Sequence, residues 1–364
     1  MKKFRYKTIL MQGTLQYAGY IVEYFIENTE KLIVYYVMPR GSKESNMVRL
    51  YSKGEKIHEK ELISSDNIVL FYLLIYLNFL SILFGYFKRG ERFFLLSAHP
   101  IFFFFRSILK LFRVYKCVYF VGDYYPGKNL INIFYRIISQ HYHNGTSYRT
   151  YITDRLNRKM NGKIINNAYV KTIMWGVKMP KKYKQWQNGK KTLCFIGAIR
   201  ESHGLQLLFD VLKERKDLNV KILGTCKKDL FRKYKEKVGR LGIADQVYFP
   251  NTFIKDLERE TKDSYIGIAL YDVTSGTYYA DPGKVKAYAQ LAMPIIMTDV
   301  SGTVQYVKRF KAGEIVEENV ASVSKAIDAV FSRYDTYVNG LKRFNRCFNY
   351  RTYYAHAYKF LENI

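Results

Sequence analysis

Asp281-Pro-Gly-Lys-Val-Lys-Ala-Tyr-Ala-Gln-Leu-Ala-Met-Pro-Ile-Ile-Met-Thr-Asp299 reads as a helix followed by a buried strand. Asp281 suits a helix cap, and Pro282 suits a first turn, where an N–H has no partner in any case. Gly283 lets another molecule approach the backbone closely. The amides of Gly283, Lys284 and Val285, with the Lys284 ammonium, offer a place for a diphosphate. Pro294 stops the helix, and Ile295-Ile-Met297 is short and apolar enough for a buried strand. Such an anion site at the mouth of an α/β sheet is where nucleotides bind.

The alternation extends outward from this stretch. Strands are expected over residues 193–196, 219–223, 246–249, 265–271, 295–297 and 313–317. Helices are expected over 204–214, 229–240, 254–261 and 320–333. Strand–helix alternation at this spacing means βαβ units and a parallel sheet. In the first half, residues 7–12, 31–38, 92–97 and 117–121 read as strands and 15–28 as a helix. Residues 344–361 read as one more helix, rich in Tyr, Phe and Arg.

Lys and Arg outnumber Asp and Glu by 59 to 31, a net charge of +28, which calls for an anionic partner. Cys117, Cys194, Cys226 and Cys347 are scattered, with no CxxC and no zinc spacing. His99, His141 and His143 lack ligand partners at metal spacing, so no metal site is expected. The opening Met-Lys-Lys-Phe-Arg-Tyr-Lys is followed by too short an apolar run for a signal peptide, and a cytoplasmic setting is expected.

Two stretches bear on membranes. Residues 68–87 hold twenty residues without a charge, followed by Lys88 and Arg89. They fit a buried domain helix, a helix in the membrane interface or a span. Residues 101–116 set Arg106, Lys110 and Arg113 opposite Phe105, Ile108, Leu109 and Phe112. That pattern suits an anionic membrane surface and suits equally a solvated helix face.

The chain resembles glycosyltransferases of the GT-B fold, most closely family 4 and its bacterial polysaccharide-assembly relatives. Phe195-Ile-Gly-Ala-Ile-Arg-Glu-Ser-His-Gly204 resembles the family's strand, Gly, turn and "KG" segment. Lys221-Ile-Leu-Gly224 resembles its strand-then-Gly element, and Gln246-Val-Tyr-Phe-Pro-Asn251 a further strand. Pro282-Gly-Lys284 through Tyr288, with Pro294-Ile-Ile296, resembles the "P-x-K-x-x-E-Y … P-V-I" block. In the first half, Gly13 and Gly19 match a Gly-rich loop, and Val121-Gly-Asp-Tyr-Tyr-Pro126 a strand end facing the cleft.

The resemblance implies two Rossmann-like domains facing a cleft: an acceptor domain over 1–178, a nucleotide-sugar domain over 179–343, and a C-terminal helix over 344–364 returning to the first domain. It implies transfer of a sugar from a nucleoside diphosphate sugar to a lipid-linked or growing glycan, with retention and without metal or other cofactor. Asp123, Arg200 and Lys284 are the candidate catalytic residues. Gly13, Gly197, Arg200, Gly224, Asp281, Gly283, Lys284 and Val285 are the candidate donor-binding residues. Arg200 is equally a loop arginine and Asp123 a turn former, Asp281 is more naturally a cap, and His203 suits a turn cap. The family's paired carboxylates are replaced by Tyr279 and Ala287. Peripheral attachment to the inner face of the plasma membrane is expected, with its anionic surface as partner. A non-catalytic binding partner in polysaccharide assembly stays open. A nucleic-acid-binding protein also answers to the charge, but no recognition motif accompanies it, and no specific nucleic acid partner is expected.

Overall fold

A computed structural model describes residues 8–13, 20–38, 45–87, 93–97, 115–122, 133, 137, 148–161, 169–272 and 276–362. By internal contacts, residues 1–174 with 350–364 form one unit and residues 175–349 another.

The first unit runs β1 (Thr8–Gly13), α1 (Ile21–Asn28), β2 (Lys31–Tyr36), β3 (Asn46–Ser52), β4 (Glu55–Leu62), α2 (Ile68–Tyr86), β5 (Phe93–Ser97), β6 (Tyr115–Val121), β7 (Tyr148–Tyr151), α3 (Asp154–Asn161) and β8 (Tyr169–Thr172). Its eight strands lie in the order β4-β3-β2-β1-β5-β6-β7-β8. All pairings are parallel except those of the β3–β4 hairpin. β1 and β2 are near-continuous apolar runs because helices cover such a sheet. Ile75, Phe79, Ile82 and Leu83 of α2 pack into the core with Leu10, Ile33, Val48 and Leu50.

The second unit runs β9 (Lys191–Ile196), α4 (Leu205–Glu214), β10 (Leu218–Leu223), α5 (Lys228–Arg240), β11 (Val247–Tyr248), α6 (Leu257–Glu260), β12 (Ile266–Ala269), α7 (Gly283–Gln290), β13 (Ile295–Thr298), α8 (Val304–Phe310), β14 (Gly313–Val316), α9 (Val320–Ser332) and α10 (Tyr334–Cys347). Its sheet order is β11-β10-β9-β12-β13-β14, parallel throughout. In order of appearance that is 3-2-1-4-5-6, a doubly wound sheet whose direction of growth reverses between β9 and β12. The final helix, α11 (Tyr350–Ala357), belongs to the first unit. There Tyr354 and Tyr358 meet Tyr24, and Arg351 pairs with Glu27.

Several expectations are corrected. The single helix over 344–361 is two: the chain breaks at Phe348, whose carbonyl accepts the Val177 N–H at 2.7 Å, beside a bridge from Val177 to Asn349. The helix over 254–261 shrinks to Leu257–Glu260, because Asp256 caps at Arg259 N–H. The β3–β4 hairpin was not foreseen; Lys53 (φ 50°) and Gly54 (φ 95°) make its turn. The basic helix over 101–116 lies outside the described residues up to 114, and Tyr115 and Lys116 are already in β6. The stretch 68–87 contains the helix Ile68–Tyr86, with one face packed on the sheet and the other exposed.

Candidate active site

The reversal between β9 and β12 is held open by one side chain. Their ladder joins only Ile266 to Leu193 and Gly267 to Cys194. Further along, the buried Tyr288 hydroxyl accepts the Ile196 N–H at 3.1 Å and donates to the Ile268 carbonyl at 2.7 Å. Gly267 makes room, since a Cβ there would stand 2.2 Å from the Tyr288 ring. The phenol thus replaces a backbone bond between diverging strands and satisfies both orphaned groups.

Three glycines shape the strand ends. Gly197 follows β9 with φ 97°, and no heavy atom lies within 4 Å of where its Cβ would stand. Gly224 follows β10, where a Cβ would stand 1.9 Å from the Gly197 carbonyl oxygen. Gly204, with φ 70°, abuts the end of β12, its missing Cβ 2.0 Å from the Leu270 carbonyl oxygen. The close approaches at Gly224 and Gly204 exclude any side chain, whereas at Gly197 it is the positive φ that favours glycine.

Lys284 lies in the first turn of α7, and its Nζ points into this place. The Nζ is buried and has no hydrogen-bond partner. It stands 3.7 Å from the centroid of the Phe195 ring and 4.8 Å from that of Tyr271. Burial pushes its pKa well below the ordinary 10.5. His203 completes the wall. Its Nδ1 lies 2.9 Å from the Ala198 carbonyl, to which it donates, and its ring meets Tyr271 edge-on. Burial first, then the Lys284 amine, push the imidazole down to about 3, so it is neutral at pH 7. Tyr271 is anchored by Thr298, whose hydroxyl accepts its N–H at 2.9 Å and donates to its carbonyl at 2.8 Å. A buried amine facing two rings, without an acceptor, is half of an anion site.

The other candidates fall as follows. Arg200 is exposed at the start of the turn Glu201–His203, close enough to bear on His203 and Tyr271. Helix geometry leaves the Gly283 and Lys284 amides without intrahelical acceptors. The Val285 amide is used, donating to the Pro282 carbonyl at 3.0 Å. Asp281 does not cap α7, whose cap position is Pro282 with no side-chain bond. Its fully buried carboxylate accepts the Trp175 N–H at 2.8 Å and the Thr303 hydroxyl, and lies 3.5 Å from Lys286 Nζ. Burial raises the Asp281 carboxyl and lowers Lys286, each opposed by the other's charge. Lys286 also stands 3.5 Å from the Phe348 ring centroid. Gly13 ends β1 opposite Tyr36. Asp123 and Gly19 lie outside the described residues. Tyr279 sits in the short turn Gly276–Tyr279 and Ala287 on α7, so the structure confirms no carboxylate at either place. No cluster of His, Cys, Asp and Glu able to hold a metal occurs among the described residues.

Phe195, Tyr271 and Tyr288 were missed as parts of the site. Their signal was faint: each is an aromatic at a strand end or on an apolar helix face, where core packing is the ordinary reading.

Two α/β units, each built on a mostly or wholly parallel sheet, with an anion-ready reversal point in the second, define a GT-B glycosyltransferase fold. Residues 179–342 match the family described as "Glycosyl transferases group 1", and that part of the chain belongs to it. With the fold, that match makes the protein a nucleotide-sugar-dependent glycosyltransferase. Solved structures agree in fold across the whole chain. Sucrose-phosphate synthase from Thermosynechococcus elongatus superposes with a TM-score of 0.74 at 10% identity, over 98% of both chains. Anabaena HepE, in complex with UDP and glucose, gives 0.69 at 12% identity, over 99% of this chain and 100% of that one. The pneumococcal O-GlcNAc transferase GtfA, in complex with UDP and GlcNAc, gives 0.59 at 11%, over 92% and 77%. Compared by sequence with the curated proteins, the chain matches none.

Proposed function

We propose that this glycosyltransferase moves a sugar from a nucleoside diphosphate sugar to a lipid-linked or growing glycan in cell-surface polysaccharide biosynthesis, at the cytoplasmic face of the plasma membrane. The observation that carries the donor half is the buried, partnerless Nζ of Lys284 at the sheet's reversal point. Lys284, the exposed Arg200 and the first amides of α7 neutralise the departing diphosphate; the open space at Gly197 lets it approach the end of β9, and Gly224 lets the Gly197 backbone pack in the position that leaves this space. Charge stabilisation by these groups needs no divalent metal. Group membership supports retention at the anomeric carbon. HepE and GtfA are described with UDP, so uridine is the first nucleotide to try.

The test is titration calorimetry with a panel of nucleoside diphosphates, with and without EDTA. One nucleotide binds, and EDTA changes nothing. If none binds, the donor assignment is wrong; if binding returns only with manganese or magnesium, the charge argument is wrong. A second reading, a non-catalytic binder, is favoured by Tyr279 and Ala287 at the family's carboxylate positions. It predicts nucleotide binding without release of nucleoside diphosphate from any sugar donor.

A further inference from the structure

Helix α2 is apolar on two opposite faces, and among the described residues one of them packs on the sheet while the other is largely exposed. Ile75, Phe79, Ile82 and Leu83, with Asn78, form a buried stripe at helical spacing. A helix on a protein surface ordinarily turns polar residues outward. Here Leu70, Leu73, Leu77 and Phe84, broken only by Ser81, form the outward stripe; Leu73 is 49% exposed, Leu77 48% and Phe84 67%. No Asp, Glu, Lys or Arg occurs in its 19 residues.

The charge gathers at its C-terminal end. Lys31 Nζ donates to the Tyr86 carbonyl at 2.9 Å. The His58 ring lies 5.7 Å from that of Tyr86. The β3–β4 register pairs His58 with Leu50 and Lys60 with Val48, both of which pack on the α2 side; Glu55 is the acidic residue there. Lys88 and Arg89 follow in sequence, in a chain of net charge +28.

We propose that the outward stripe of α2 docks the protein on an anionic lipid bilayer, the helix lying in the plane of the interface with its cationic end against the headgroups. A second copy is the wrong occupant, because it brings the same +28 to the contact. Crossing the bilayer is opposed by the anchored face. Asn78 Nδ2 donates to the Ile63 carbonyl at 2.8 Å, Tyr35 to the Ile75 carbonyl at 3.3 Å, and Lys31 to Tyr86; a spanning helix must give these up. The purpose of docking rests on the proposed membrane-side acceptor, but the docking itself is measured without turnover.

The experiment is cosedimentation of the full chain with vesicles of phosphatidylcholine alone or mixed with phosphatidylglycerol, at low and high salt. The wild type pellets with the mixed vesicles, salt weakens it, and neutral vesicles take up little. Leu73→Glu/Leu77→Glu and, separately, Phe84→Ser weaken partition, the double variant by about tenfold or more. Both sites are exposed, so the far-ultraviolet spectrum and nucleotide affinity stay at wild-type values. Wild-type partition in the double variant overturns the proposal, as does binding indifferent to lipid charge and salt, or membranes that release the protein only to detergent. A dimer in solution that the double variant splits also overturns it, in favour of self-association. Loss of nucleotide binding with docking intact would sink the catalytic reading alone.

Discussion

Replacing Lys284 by Met should stabilise the protein and cripple donor binding, and the opposite signs are the point. The amine is buried without an acceptor. Such burial costs about 1–3 kcal/mol by mutational measure. The faces of Phe195 and Tyr271 return about 0.5–2 kcal/mol. A net penalty of about 1 kcal/mol remains, and Met fills the same channel without it. For a unit this size that is an increase of roughly 2–4 °C in Tm, read by calorimetry. The pH dependence has a definite sign. The folded pKa lies below 10.5, so the unfolded chain holds more protons between the two values, and wild-type stability rises with pH there. The advantage of Met is therefore fullest at low pH and fades as pH approaches 10.5. Loss of a charge-assisted contact to diphosphate costs about 1.5–3 kcal/mol, roughly tenfold to hundredfold in Kd. Diphosphate draws the amine's pKa back up, so wild-type binding takes up a proton, seen as a dependence of binding heat on buffer ionisation enthalpy. The variant lacks that dependence. A Met variant that is less stable, or that binds nucleoside diphosphate like the wild type, refutes the reasoning.

Two further variants test the frame of the site. Tyr288→Phe orphans the Ile196 N–H and the Ile268 carbonyl at once, each costing about 1–3 kcal/mol, so urea melts should show a loss of about 2–6 kcal/mol; a loss below about 1 kcal/mol would mean the strands close without the phenol. Asp281→Ala leaves Lys286 buried and uncompensated and should cost about 3–5 kcal/mol, while Asp281→Leu with Lys286→Met recovers most of it; a double variant as weak as the single one would show that the pair is more than a charge balance.

The second sheet was legible because its strands are buried on both faces and read as apolar runs between turn residues, as in Leu193, Cys194 and Phe195. The Pro-Gly-Lys signal located α7 correctly, and Lys284 does turn inward. Asp281 misled because a short-range reading sees only a cap. Its partners, Trp175 and Thr303, are 106 and 22 residues away, and no local pattern announces them. β4 was invisible for a different reason: Glu-Lys-Ile-His-Glu-Lys-Glu-Leu is an exposed edge strand held by its ladder to β3, so it carries no apolar alternation. Tyr288 was legible only as a family tyrosine, since bridging two backbones depends on where β9 and β12 part.

The bonds at Asp281 set the limits of any excised donor-binding fragment. The family match spans 179–342, yet the folding unit spans 175–349. A fragment cut at 179 discards the Trp175 N–H that the buried carboxylate accepts, and one stopped at 342 discards Phe344 and Phe348, the rings beside Lys286. Each cut strands one side of the same buried ion pair. Recombinant fragments for crystallography or ligand screening therefore have to begin no later than Trp175 and run through Asn349, where the Val177 bridge closes.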